Sequence, residues 1–317
     1  MTEAHPENDP GRFLLATLPG MGASSWKRLE EAIGPPSAVL QASGEKLLNS
    51  GIRPDLAREI LSAQARLDET GELLGDCLTA GIQIFYPESE GVPLRLISAT
   101  PDWHILTLLG DPGLLDATTV IGMVGRRQAT EVGVQLAFDL AAGLAGEGVA
   151  VLSGMAQGID QSSHVGCLSE GGSTIAVLPM GIMRFLRENR RWRLIQDALE
   201  AGKLLLISGA HPLQKWDVSE AMRRNGWIAA WSDVLVVVEA GTQGGTWKTA
   251  RSARKKGKQV LVFTGFDGNE AGVGNSNLIR SLSATPLDAG LPVSELVGRI
   301  LQVAADSFDI CRDKLLD

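Results

Sequence analysis

From Ala117 onward, short apolar runs alternate with amphipathic stretches. The runs are Val120–Val124, Val149–Leu152, Ile175–Leu178, Leu204–Ile207, Val234–Val238 and Val260–Phe263. They are rich in Val, Ile and Leu and nearly continuous, as expected of strands buried on both faces. Between them apolar residues recur at helical spacing in Glu131–Glu147, Arg187–Ala201, Val218–Ala230 and Trp247–Lys256. This alternation leaves few architectures open. It predicts an α/β fold whose sheet is parallel and flanked by helices.

The preceding residues differ. Phe13–Leu18, Trp26–Ile33, Leu56–Leu67 and Leu73–Leu78 all carry helical spacing, punctuated by Gly34-Pro35-Pro36 and Gly51-Ile52-Arg53-Pro54. The expected organisation is an unstructured polar lead over 1–12, a small helical domain over 13–100, an α/β core over 101–290 and a helical tail over 291–317, with Pro292–Ala305 as its helix. The lead is acidic and does not read as a signal peptide. No apolar run reaches the roughly 18 residues of a membrane helix. Cys77, Cys167 and Cys311 are far apart, which suits neither a disulfide framework nor a zinc site and points to a reducing cytoplasm.

The formal net charge is −8, yet residues 119–258 hold 17 basic and 12 acidic side chains. An acidic protein with a basic middle can still steer an anionic partner.

In an open α/β sheet, ligands bind beyond the carboxyl ends of the strands. Gly125-Arg126-Arg127 follows the first run, Ser153-Gly154-Met155-Ala156-Gln157-Gly158-Ile159-Asp160 the second, and Glu239 through Thr246 the fifth. Glycine allows backbone N–H groups to converge on an anion, and a helix N-terminus behind each loop adds donors and a favourable dipole. Tight turns alone would also call for these glycines; three such loops on one sheet edge favour phosphate binding. Arg126, Arg127 and Lys248 would add charge. No G-x-G-x-x-G follows the first strand, and Gly-Gly-Thr-Trp-Lys-Thr lacks the spacing of a Walker loop.

His164 lies four residues after Asp160 and shares its helix face. We read the pair as a helix cap with a histidine packed beside it, rather than as an acid/base couple. Arg184–Arg193 holds five arginines, Phe185 and Trp192, a mixture suited to phosphates and base stacking. Lys248–Lys258 reads mainly as a solvated basic face, and Arg223-Arg224-Asn225 adds a third basic patch. Leu18-Pro19-Gly20-Met21-Gly22 joins two helical segments, either as a plain connector or as a hairpin touching a nucleic-acid phosphate.

In this order the motifs resemble the DNA-processing protein A (DprA/Smf) family, over about Phe13–Leu287. Val124-Gly125-Arg126-Arg127 is similar to its V-G-S-R, and Ser153–His164 to S-G-x-A-x-G-I-D-x-x-A-H. Arg224-Asn225 matches part of R-N-R. Val238-Glu239-Ala240 with Gly245–Ala250 resembles V-E-A-x-x-x-S-G-S-L-x-T-A, and Gly274–Ile279 with Ala284 the G-x-N-x-L-I-x-x-G-A ending. The resemblance implies an extended Rossmann-like, doubly wound, mostly parallel sheet preceded by a small helical domain of helix-hairpin-helix or SAM-like type. It implies a cytoplasmic homodimer that binds single-stranded DNA, helps load a RecA-type recombinase during DNA uptake, needs no cofactor and catalyses no known reaction. Arg127, Ser153, Gly154, Gly158, Arg224, Asn225, Gly245 and Lys248 would then lie in or near the DNA pocket. With Gly125, Arg126, Gln157, Arg187, Arg191, Thr246 and Thr249 they form the expected nucleic-acid site, shaped by Asp160, His164 and Glu239.

The chain departs from the pattern. The second arginine of R-N-R is Gly226, S-G-S-L is Gly244-Gly245-Thr246-Trp247, and Ser208 is followed by Gly209 where the family has an acidic residue. With the chain stopping at Asp317, no winged-helix domain is expected. Two other functions compete. A nucleotide sensor or phosphoribohydrolase would use the Val238–Trp247 loop, which resembles the P-G-G-x-G-T-x-x-E loop of the lysine-decarboxylase-like phosphoribohydrolases, although the position of that family's catalytic glutamate holds Thr249 or Ala250. A protein–protein scaffold would use Trp227 and Trp231, four apart on one helix and exposed-looking, though such a pair is more often core.

Overall fold

The computed structural model describes residues 6–98, 103–266, 268 and 270–316, with side chains described up to Ser307 at the C-terminal end. Two compact units emerge. The first comprises Met1–Leu109, Met180–Asn189 and Ser208–Lys215. It contains α1 (Pro10–Ala16), α2 (Ala23–Ala32), α3 (Pro36–Leu40), α4 (Gly44–Asn49), α5 (Pro54–Ala63) and α6 (Leu67–Thr79), then β1 (Gln83–Phe85), α7 (Leu94–Ser98) and β2 (Leu106–Gly110). Proline at the first positions of α1, α3 and α5 costs no backbone hydrogen bond there and presets the helical φ. Leu14, Leu15, Leu29, Leu47, Leu56 and Ile60 meet in one apolar cluster. The loop Leu18–Gly22 joins α1 to α2, and Gly22 is the N-cap of α2.

Two expectations fail in this unit. The lead is not unstructured in its described part: residues 6–8 form a 3-10 turn and Pro10 opens α1, capped by Asp9, whose carboxylate accepts the Gly11 N–H at 2.8 Å. Arg12 is buried, pairs with Glu88 and sits 3.8 Å over the Tyr86 ring. Residues 1–5 lie outside the described residues. Nor is the 13–100 segment wholly helical, since β1 pairs antiparallel with β2, Gln83 opposite Leu108.

The second unit comprises Gly110–Pro179, Arg190–Ile207 and Trp216–Asp317. Along the chain run β3 (Val120–Val124), α8 (Glu131–Gly146), β4 (Ala150–Ser153), α9 (Ile159–Ser169) and β5 (Thr174–Val177). After α10 (Ile182–Glu188), which groups with the first unit, come α11 (Arg193–Glu200), β6 (Leu204–Ser208), α12 (Val218–Trp231), β7 (Val234–Val237), α13 (Gly245–Lys255), β8 (Gln259–Thr264), α14 (Glu270–Leu282), β9 (Thr285–Asp288) and α15 (Val293–Leu316). The strands lie in the order β6-β5-β4-β3-β7-β8-β9, and every neighbouring pair in that order is parallel. The six apolar runs of the sequence are β3 to β8. The chain steps outward from β3 to β6, then returns to the other side of β3 and steps outward again. The direction of winding therefore reverses between β3 and β7, which opens a crevice at their carboxyl ends.

The core gathers Ile121, Leu140, Val151, Val236 and Phe263, and α15 adds Leu296, Val297 and Ile300 to it. The helix expected over Arg187–Ala201 is instead two, α10 and α11, broken at Asn189–Trp192. Trp227 and Trp231 are buried and stacked with ring centroids 5.4 Å apart, so the contact surface they were read to offer does not exist. Cys77 and Cys167 are free and buried; Cys311 lies outside the residues whose side chains are described. Among the described residues, no helix is long and apolar enough to cross a membrane.

Candidate functional site

At the crevice between β3 and β7 lies a cavity of about 550 Å³. Val124–Gln128 line it from the exit of β3, and Gly241, Gln243, Gly245, Thr246 and Thr249 from the exit of β7 and the start of α13. Met222, Arg224 and Asn225 of α12 form a further wall, with Trp216 and Glu270 at the rim. Asn275 fixes the β7 exit: its amide donates 2.8 Å bonds to the Val238 and Phe263 carbonyls and accepts the Ala240 N–H.

Helices α8, α9 and α13 begin behind the three glycine loops, and each N-terminus carries N–H donors and a positive dipole end. Two of them already carry an internal carboxylate. At α8, the Glu239 carboxylate accepts the Thr130 N–H at 3.1 Å and the Thr130 hydroxyl, which in turn accepts the Gly133 N–H. At α9, whose N-cap Gly158 has no side-chain cap, Asp160 places a carboxylate in the first turn; it accepts the Ala156 N–H ahead of the helix and faces the Gly125 N–H and the Ser153 hydroxyl. Of these three, α13 alone has no carboxylate in its first turn or at its cap among the described residues: its N-cap is Gly244, and Gly245 and Thr246 line the cavity. The sequence presented three equivalent phosphate loops; the structure leaves one without an internal carboxylate.

Glycine in the second loop serves a different purpose. A Cβ at Gly154 would collide with Arg224 Nη1, so its absence makes room for that guanidinium. Gly158 has φ +87°, and a Cβ there would stand 2.5 Å from the Arg127 carbonyl oxygen. Arg224 is 5% exposed and reaches Asp160 at 3.6 Å. Burial raises the Asp160 carboxyl above its usual range, against the pull of Arg224 and the N–H donors. Burial, helped by Arg224, pushes His164 down to about 3. Its Nδ1 lies 2.7 Å from Thr174 Oγ1 and its Nε2 has no hydrogen-bond partner among the described residues. Asp160 and His164 are thus both buried, with Asp160 paired to Arg224; the cap expected of Asp160 does not form, since the N-cap of α9 is Gly158 and no side chain caps it.

The remaining site residues separate into groups. Gly125, Arg126, Arg127, Arg224, Asn225, Gly245, Thr246 and Thr249 come together around the cavity, with Asp160. Arg126 donates to Glu270 at 2.8 Å. Arg127 is exposed, has no carboxylate partner among the described residues, and lies 5.2 Å from the Trp216 ring centroid. Lys248 is exposed beside Met222. Ser153 is fully buried and donates to the Met123 carbonyl, which removes it from any ligand. Gln157 and Gly158 line a neighbouring cavity. Arg191 is exposed in the break between α10 and α11, and Arg187 belongs to the first unit. Sequence reasoning missed Trp216, Gln128 and Glu270. Trp216, 45% exposed, was detectable as an aromatic between Lys215 and Asp217 with no periodic partner.

The sequence profile of the family described as DNA recombination-mediator protein A matches residues 83–296. The DNA processing protein DprA of Bacillus subtilis is 30% identical over 245 residues, 73% of this chain and 80% of that protein. The X-ray structure of DprA from Streptococcus pneumoniae superposes with a TM-score of 0.69 at 22% identity, covering 88% of this chain and 94% of that one. A structure of DNA processing protein A from Helicobacter pylori, described for its single-stranded DNA binding mode, gives a TM-score of 0.59 at 23% identity, covering 70% of this chain and 96% of that one. Extended Rossmann-like architecture, motif order and sequence identity agree, and the chain belongs to the DNA recombination-mediator protein A (DprA/Smf) family of DNA-processing proteins.

Proposed function

We propose that the chain binds single-stranded DNA in the cavity at the β3/β7 crevice, as a binding protein rather than a catalyst. The observation that carries this is the meeting of exposed, carboxylate-free Arg127 with the uncapped N-terminus of α13 across one cavity. Backbone N–H groups and a guanidinium together suit a phosphodiester. Trp216 beside Arg127 supplies a stacking face for a base. The single-stranded DNA named for the H. pylori relative supports the choice of ligand. A binding role is supported by the buried pairing of Asp160 with Arg224 at 3.6 Å and by the burial of His164.

Within this reading Arg126, Arg127, Asn225, Gly245, Thr246 and Lys248 contact the strand, and Asp160, Arg224 and Glu239 hold the loops. The family resemblance extends it to a cytoplasmic homodimer that delivers the strand to a RecA-type recombinase; sedimentation of the chain alone and with recombinase filaments tests those partners.

Fluorescence anisotropy with labelled oligonucleotides of increasing length, single- and double-stranded, tests the core claim. The expected result is length-dependent affinity for single strands that Arg127→Ala lowers at least about tenfold, the loss typical of a charge-assisted contact. Equal affinity of wild type and variant, or stoichiometric binding of mononucleotides with no gain from length, would overturn it in favour of a nucleotide ligand.

A further inference from the structure

A second cavity, of about 510 Å³, adjoins the first, and Arg127 and Gln128 line both. Its floor is apolar: Val134 and Phe138 of α8 and Val165 of α9. Its rim carries the amides of Gln128, Gln157 and Gln161. Trp192 lines it from the loop that breaks the α10–α11 stretch. The amide ends of Gln128 and Gln157 have no hydrogen-bond partner among the described residues, and that of Gln161 only reaches the Met155 carbonyl at 3.5 Å. On either side of Trp192, Arg190, Arg191 and Arg193 are exposed and have no carboxylate partner among the described residues.

We propose that a nucleobase of the bound strand seats in this second cavity, stacked on Trp192, while its phosphates run from Arg127 toward the arginines at 190–193. The inference rests on the single-strand reading of the first cavity and names what that strand does beyond it. Three features select a base over an apolar peptide or lipid chain. The cavity is continuous with the phosphate site through Arg127. It combines an aromatic face with amides that can both donate and accept, which is what the edge and face of a base require. The chain leaving it meets unpaired guanidinium groups, matched to a polyanion. The same loop explains why the basic stretch at 184–193 is not one helix: a continuous helix would run on through Trp192, whereas the break at Asn189–Trp192 frees that indole to reach the groove.

The test is anisotropy with an abasic scan. Oligothymidylates long enough to cross both cavities are made with a single abasic site moved along the strand, and bound to wild type, Trp192→Ala and Trp192→Phe. Stacking on an aromatic side chain is strong enough that its loss costs roughly tenfold in affinity. Wild type is expected to lose about that factor when one particular position is abasic, Trp192→Ala to lose it for the intact strand with no further loss at that position, and Trp192→Phe to retain most of it. Should Trp192→Ala lose its thermal transition, Gln157→Ala, an exposed change, reads the same groove alongside the wild-type scan. A wild-type scan flat at every position, or intact-strand affinity unchanged by Trp192→Ala while Arg127→Ala abolishes binding, overturns the base seat and leaves the first cavity standing. Absence of single-strand binding by wild type overturns both.

Discussion

Arg224 shows how little of a buried residue's role is written beside it. It sits in a short basic patch, yet it is enclosed, paired with Asp160, and lies where the side chain of residue 154 would be. Gly154→Ala is expected to expel the guanidinium and strand Asp160 as an unpaired buried carboxylate. Breaking such a pair costs about 3–5 kcal/mol, readable as a lowered urea midpoint. His164 gives the pH counterpart. Its folded pKa falls from 6.5 to about 3, chiefly through burial. Below pH 6.5 the unfolded chain takes up a proton there that the folded chain refuses. The stabilisation is therefore complete above that pH and is lost as pH falls toward 3, by up to about 1.4 kcal/mol per pH unit. Asp160, raised by burial, acts in the opposite sense in the lower part of this range. His164→Gln, which keeps a polar partner for Thr174, is expected to flatten the stability profile between pH 6.5 and 4.5; an unchanged slope in denaturation series at these pH values would sink the assignment.

Among elements, the strands were the easiest to read and the helix starts the hardest. Buried parallel strands appear as unbroken Val, Ile and Leu, so β7, Val234 to Val237, falls within its run. By contrast β1 has three residues, and β9 shows mostly exposed positions, so neither carries a pattern. The three helix N-termini looked alike because what distinguishes them is distant: Glu239 reaches Thr130 across 109 residues of chain. No local spacing encodes that contact. The contrast between helices can be tested directly. Thr246→Asp would give α13 the anion that α8 and α9 already have. A carboxylate in a first helical turn stabilises by about 0.3–1 kcal/mol. The same charge would stand where a phosphate is proposed, and like-charge juxtaposition is costly enough to lower strand affinity at least about tenfold. Thermal melts and anisotropy should therefore move in opposite directions. If both fell together, the variant would merely be misfolded; if neither moved, α13 would not be the anion site.

For the whole molecule, a formal charge of −8 argues against a DNA-binding protein, and the distribution of that charge argues for one. Lys248–Lys258 contains six basic residues and no acid, yet only Lys248 neighbours the cavity, beside Met222. The field that attracts a strand is thus local, and few phosphates are neutralised at the crevice. Arg127 and Lys248 are free to do so, while Arg126 is shared with Glu270. For single strands, each neutralised phosphate contributes about −0.7 to the slope of log K against log salt. Two to three contacts give a slope of about −1.4 to −2 for a strand confined to the first cavity, shallow for a nucleic-acid protein. Gly226, where the family pattern has arginine, offers a calibrated increment. A Cβ there meets nothing within 4 Å, so Gly226→Arg should be accommodated and, by replacing a mid-helix glycine, should stabilise α12. Titrations of both proteins across a salt series are expected to show the variant's slope steeper by about 0.7, one phosphate's worth. A slope near zero for the wild type would mean that stacking or a small neutral ligand, rather than the phosphate backbone, occupies the crevice. A variant slope equal to the wild type's would mean that residue 226 lies off the path of the strand, and that a glycine there subtracts nothing from it.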